Sequence, residues 1–130
     1  MGLVWFVAIG GAAGSALRFL LTGMLQGRAA GAAGFPTGTL VVNVAGSLLL
    51  GFILRHAVGG GDGGLGVEAR ALLGAGFCGG FTTFSAFSVE TLGLIEAGDW
   101  RRAALYAGLS VGLSLAAAAL GFAAGGRAAS

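Results

Sequence analysis

The segment from Gly74 to Thr91, GAGFCGGFTTFSAFSVET, holds the least ordinary residues of this sequence. Adjacent glycines at 79 and 80 weaken a helix, and the hydroxyls of Thr82 and Thr83 compete for its backbone groups. A helix running through this segment is expected to break near its centre. Carbonyls freed at such a break inside an apolar environment can bind a cation; a kinked packing helix that holds no ion is the alternative. Phe84, Ser85, Phe87 and Ser88 follow the break. Phe84 and Phe87 lie three apart and share one helix face. An aromatic ring has a positive edge and a negative face, so rings turned edge-on could line an anion path without a fixed cation. A lysine or arginine there would hold a small, hard anion too tightly, because conduction needs weak, repeated sites. Phenylalanines at this spacing can equally face lipid or core. Glu90 could cap a water-filled mouth, pair with an arginine or sit as a plain interfacial carboxylate.

Three further places carry polar groups among apolar neighbours. Asn43 lies within GTLVVNVAGSLLLG, and its amide can bond across helices or face a water-filled vestibule. Arg18, within GGAAGSALRF, can snorkel to the interface, attract anions at a vestibule or bond backbone carbonyls. Tyr106, Ser110 and Ser114 are spaced by four and form one stripe. That stripe supplies either helix–helix hydrogen bonds or a polar track.

The elements that must position these residues are read from hydropathy. A membrane-crossing helix needs about 20 mostly apolar residues, and four stretches qualify: 3–25, 37–54, 69–95 and 102–124. They make a single four-helix membrane domain over residues 1–130, all-α, with the third helix broken. Between the first two lies GRAAGAAGFP, closed by Pro36, the only proline; VGGGDGGLGVE and EAGDWRR form the other connectors. Trp5 and Trp100 fall near span ends, where amphipathic rings favour the interface. The N-terminal run has no basic region before it and continues past Arg18, so it reads as a retained helix rather than a leader.

Composition agrees. Of 130 residues 56% are hydrophobic and only 9% charged, against about 25% charged in soluble domains. The mean hydropathy is +0.93. A net charge of +2, with seven arginines dispersed along the chain and no lysine, excludes a nucleic-acid-binding surface. With four spans, Arg55, Arg70 and Arg127 fall on the side of the termini, Arg28, Arg101 and Arg102 on the other, and Arg18 nearer the latter. Orientation follows the Lys/Arg excess on cytoplasmic loops, and here there is almost none. The chain is therefore expected to insert both ways and to pair with an oppositely oriented copy about a two-fold axis in the membrane plane. Cys78 reads as packing and His56 as a solvated residue at a span end. No nucleophile, base and orienter can be assembled, so an enzyme is not expected.

These motifs resemble the Fluc fluoride channels, also called CrcB proteins, over nearly the whole chain. The first element looks like GG-x-x-G-x-x-x-R-[FY], Gly10 to Phe19; the second is Gly38 to Gly51; the most specific is GFCGGFTTFSAFS, Gly76 to Ser88. The resemblance implies an antiparallel dual-topology homodimer with two fluoride pores, passively exporting cytoplasmic fluoride across the bacterial cytoplasmic (inner) membrane. It implies that Phe84 and Phe87 present ring edges to fluoride and that Asn43 lines the pore; Ser85, between the rings in sequence, is expected on the same path. It implies a hydroxyl track of Tyr106, Ser110 and Ser114, and vestibule charges at Arg18 and Glu90. Backbone carbonyls of Gly79 and Thr82, from both subunits, would hold a structural sodium ion. The family commonly has a threonine where this chain has Ala86, which removes one hydroxyl from the expected track. Two other readings compete. A four-span drug/proton antiporter needs a carboxylate in its first span, where this chain has Arg18 and no Asp or Glu. A non-transporting membrane subunit would need no polar track, and flux from the purified protein separates it.

Overall fold

The structure, a computed structural model, describes residues 2–26, 34–59 and 64–128. Arg28, and with it part of the arginine tally, lies outside the described residues, as do most of the first connector and the centre of the second. Among the described residues the fold is all-helical: α1 (Gly2–Gln26), α2 (Thr37–Gly59), α3 (Val67–Arg70), a π-helical stretch (Ala71–Cys78), α4 (Gly79–Phe81), α5 (Phe84–Glu96) and α6 (Trp100–Ala128). The segments from Val67 to Glu96 act as one span, so four spans are long and apolar enough to cross a membrane. The chain is a multi-pass membrane protein. α2 runs five residues past the expected end at Leu54 because Arg55, His56 and Ala57 continue the helix before the glycine run.

Within the third span, helical backbone passes through both glycines, with Gly79 at φ −61°, ψ −40°. The two threonines behind them are extended, Thr82 at φ −89°, ψ 157° and Thr83 at φ −151°, ψ 113°. Glycine tolerates the helix, whereas the threonine hydroxyls offer the backbone other partners: Thr82 Oγ1 donates to the Cys78 carbonyl (2.8 Å), and Thr83 Oγ1 accepts from Ala86 N–H (3.1 Å). The second of these is an N-cap that starts α5.

α5 and α6 are joined by Ala97–Asp99. Gly98, at φ 79°, allows the Schellman end in which Gly98 N–H bonds the Ile95 carbonyl and Asp99 N–H that of Leu94. Asp99 then N-caps α6 through Arg102 N–H (3.1 Å). The turn holds the two helices as antiparallel neighbours, with Leu94, Ala103 and Tyr106 as the buried cluster between them.

Two helix pairs carry the packing: α1 against the first half of the third span, and α2 against α6. Both pairs run parallel. A Cβ on Gly10 would strike the Leu72 carbonyl oxygen, and one on Gly14 that of Phe77; Gly121 and Gly125 meet the Leu48 and Phe52 carbonyls in the same way. Glycines four apart thus let backbone touch backbone, the close approach that small residues give membrane helices.

Few large side chains are buried. Tyr106, Leu94, Val42 and Cys78 are enclosed, while Trp5, Phe19, Met24 and Phe84 stand more than 70% exposed. An apolar exterior of this kind suits hydrocarbon. His56 departs from the solvated position expected of it. It stacks on Phe52 (centroids 5.6 Å, 9°), and its Nδ1 is buried without a hydrogen-bond partner, because Gly125 brings α6 against it.

Candidate functional site

The extended pair Thr82–Thr83 leaves backbone groups that a helix would have paired. Asn43 takes both of Thr83's: its Oδ1 accepts from Thr83 N–H (2.7 Å) and its Nδ2 donates to the Thr83 carbonyl (3.1 Å). One amide side chain here stands in for a strand partner. It keeps one N–H, since a primary amide has two. Because Thr83 N–H is turned to Asn43, the Gly79 carbonyl loses the donor that an α-helix would give it. The Thr82 carbonyl likewise loses Ala86 N–H to the cap. The Gly80 carbonyl is served from outside the span, by Arg18 Nε (3.0 Å) and Ser15 Oγ (3.4 Å). Arg18 is thereby fixed against the third span rather than reaching only for the interface.

Beside this point lies an open groove of about 420 Å³ between α2, the start of α5 and α6. It gathers Asn43, Phe84, Phe87, Ser110 and Ser114, with Thr82 and Thr83 at its wall. The Phe84 and Phe87 rings sit 5.6 Å apart and are tilted by 44° to each other. Ser110 is buried, and its Oγ has no hydrogen-bond partner among the described residues. Among the described residues no Lys, Arg, Asp or Glu lines the groove. Its donors are neutral, and its walls are otherwise apolar.

Two residues expected on this path are placed elsewhere. Ser85 lines a second hollow of about 410 Å³ with Arg18, Thr83, Ala86 and Glu90. It stands one residue off the Phe84–Phe87 face, 100° around the helix. Tyr106 is fully buried: its ring packs on Phe87 (5.3 Å) and Phe35 (5.5 Å), and its hydroxyl donates to Glu90 (2.8 Å). Glu90's other oxygen accepts from Thr39 Oγ1 (2.7 Å), and Gln26 Oε1 accepts from Thr39 N–H (2.8 Å). Glu90 is thus held by two hydroxyls.

Thr39 and Gln26 were not singled out in the sequence, and Thr83 was read only for its hydroxyl. The signal was present for Thr39, since Thr39, Asn43 and Ser47 repeat every four residues along α2. Thr39 reads as an ordinary residue at a helix start, and Thr83's value lies in its backbone, which no side-chain pattern reports. Among the described residues no three His, Cys, Asp or Glu side chains group to hold a metal. A cation here would rest on carbonyl oxygens, and the Gly79 and Thr82 carbonyls, both short of a helical donor, fit that donor set.

Comparison with known proteins adds a separate line. The sequence profile of the family described as "CrcB-like protein, Camphor Resistance (CrcB)" matches residues 5–122. A relative in Thermus thermophilus, "Fluoride-specific ion channel FluC", is 48% identical over 120 residues, covering 92% of each chain. "Fluoride-specific ion channel FluC 1" of Symbiobacterium thermophilum is 46% identical, covering 92% of this chain and 94% of its own. A Ruegeria relative, also "Fluoride-specific ion channel FluC", is 49% identical, covering 88% and 87%.

Proposed function

The chain belongs to the CrcB-like family, a family of ion channels rather than enzymes, and on that footing we propose that it is a fluoride-selective passive channel. The observation that carries the reading to this chain's own residues is the groove. It brings together Asn43, which keeps one N–H beyond its Thr83 bonds, the tilted Phe84 and Phe87 rings and the buried, partnerless Ser110 hydroxyl, with no ionised side chain among the described residues of its lining. Fluoride surrenders a tightly held water shell on entering a narrow path. Replacing that shell takes several short-range donors, and leaving again takes donors that are individually weak. Neutral N–H, O–H and ring C–H edges meet both needs. Ser114 extends the row, and Arg18 supplies positive potential to the neighbouring hollow without entering the path.

The groove is open along one side, and Phe84 is 78% exposed. A second, antiparallel copy closing it would give two pores per dimer, and the balanced arginines support that arrangement. The same pairing would bring Gly79 and Thr82 carbonyls of both copies together. These would hold a sodium ion whose contribution is to bind the two interrupted spans to each other. In this reading the third span is a broken helix in the functional sense: its interruption supplies both the ion-binding carbonyls and the turn that aims the rings. The channel would sit in the bacterial cytoplasmic membrane and let accumulated cytoplasmic fluoride run out down its gradient.

Efflux from proteoliposomes, followed with a fluoride electrode, tests this. Fluoride should leave and chloride should not; comparable chloride flux would overturn selectivity. Phe87→Ile should lower fluoride flux on the order of tenfold or more, the loss expected when one preorganised contact goes. Unchanged flux would remove the ring edges from the path.

A further inference from the structure

We propose that the pocket where the C-terminal ends of α2 and α6 meet binds the phosphate of an anionic membrane lipid. Arg55, Phe122, Ala123, Gly126 and Arg127 line a hollow of about 330 Å³, on the opposite end of the molecule from the Glu90–Tyr106 cluster. Two arginines line one small concavity. Arg55 folds over the Phe122 ring, 5.0 Å from its centroid. Gly126 leaves room for that fold, since a Cβ there would lie 3.1 Å from Arg55 Nε. Among the described residues Arg55 has no carboxylate within ion-pair distance, so its charge has no fixed counter-ion among them.

Depth selects the ligand. Asn43 meets the extended pair midway along the span Val67–Glu96. Arg55 lies twelve residues further along α2, about 18 Å away at 1.5 Å per residue. The hydrocarbon half-thickness is about 15 Å, which puts the guanidinium at headgroup level. Phe122 and Ala123 form the apolar part of the pocket wall, and Phe122 is half exposed. They offer an acyl chain its first contact below the headgroup. A basic pocket between helices with an apolar wall matches a phosphodiester that carries acyl tails, better than it matches a free anion. Both helices end here on carbonyls whose partial charge repels anions. The arginines alone must hold the phosphate, and their planar forks suit it.

The test is thermal unfolding of the full chain in neutral detergent with added phosphatidylglycerol, phosphatidylcholine or inorganic phosphate. Phosphatidylglycerol should raise the midpoint above the other two, by the linkage that any native-state ligand obeys. Arg55→Gln and Arg127→Gln should each lose most of that increment, and Arg55→Lys should keep part of it. Equal midpoints with both lipids, or an undiminished increment in the Gln variants, would overturn the proposal. An inorganic phosphate increment matching that of the lipid would replace it with a free-anion site. Should the Gln variants not fold, native mass spectrometry of the unaltered protein from an equal lipid mixture decides. Retention of phosphatidylglycerol on the order of tenfold over phosphatidylcholine is expected for two arginines at the surface, and equal retention overturns the proposal.

Discussion

Asn43 and Ser110 share the groove but play opposite parts there, and single substitutions separate them. Asn43→Ala strips both Thr83 backbone groups of their partner at membrane depth. At roughly 1–3 kcal/mol for each polar group left unsatisfied, stability should fall by about 2 kcal/mol or more, measured by thermal or denaturant unfolding in detergent. Ser110→Ala removes a hydroxyl that already lacks a partner. Stability should hold or rise slightly, while fluoride efflux falls. A hydroxyl kept for packing alone would leave efflux untouched. At this scale the sequence was partly legible. Spacing placed Phe84 and Phe87 on one face and Ser110 and Ser114 on another, and the groove gathers both pairs. Spacing also put Tyr106 on that stripe. What periodicity cannot report is which side chain a neighbouring carboxylate will claim; Glu90 turns the phenol inward.

Among elements, the parallel pairs depend on glycines whose value is the contact they permit. Gly14→Ala drives a Cβ into the Phe77 carbonyl, which is backbone and cannot rotate away. Overpacking of this sort costs about 1–3 kcal/mol. Gly108→Ala meets open space and should be neutral or gain up to about 1 kcal/mol from helix propensity. Comparing the two unfolding midpoints isolates close approach from intrinsic preference. Hydropathy made the four spans legible, because twenty apolar residues have few other uses. Which glycine faces which carbonyl was not legible, since 28 glycines in one chain carry no mark of their partners. The interruption was expected around Gly79 and Gly80, and the extended residues are the two threonines behind them. Threonine brings an alternative hydrogen bond; glycine brings only permission.

For the molecule as a whole, orientation is the open quantity, and the structure supplies a clean probe. Ala97 is exposed in the turn between α5 and α6, while the single native thiol, Cys78, is fully enclosed. On the dual insertion proposed from the near-equal arginine distribution, a membrane-impermeant maleimide should label roughly half the copies of the Ala97→Cys protein from outside the cell and the rest only after permeabilisation. Labelling from one side alone would exclude dual insertion and with it the antiparallel pair.

The clamp of Asn43 on Thr83 is made entirely within one chain. On the pairing proposed above, a newly inserted copy would bring this clamp already formed, and a mating event would join two finished surfaces rather than mould them. Encounter in the plane of the bilayer, not rearrangement of this segment, would then govern how quickly working assemblies accumulate.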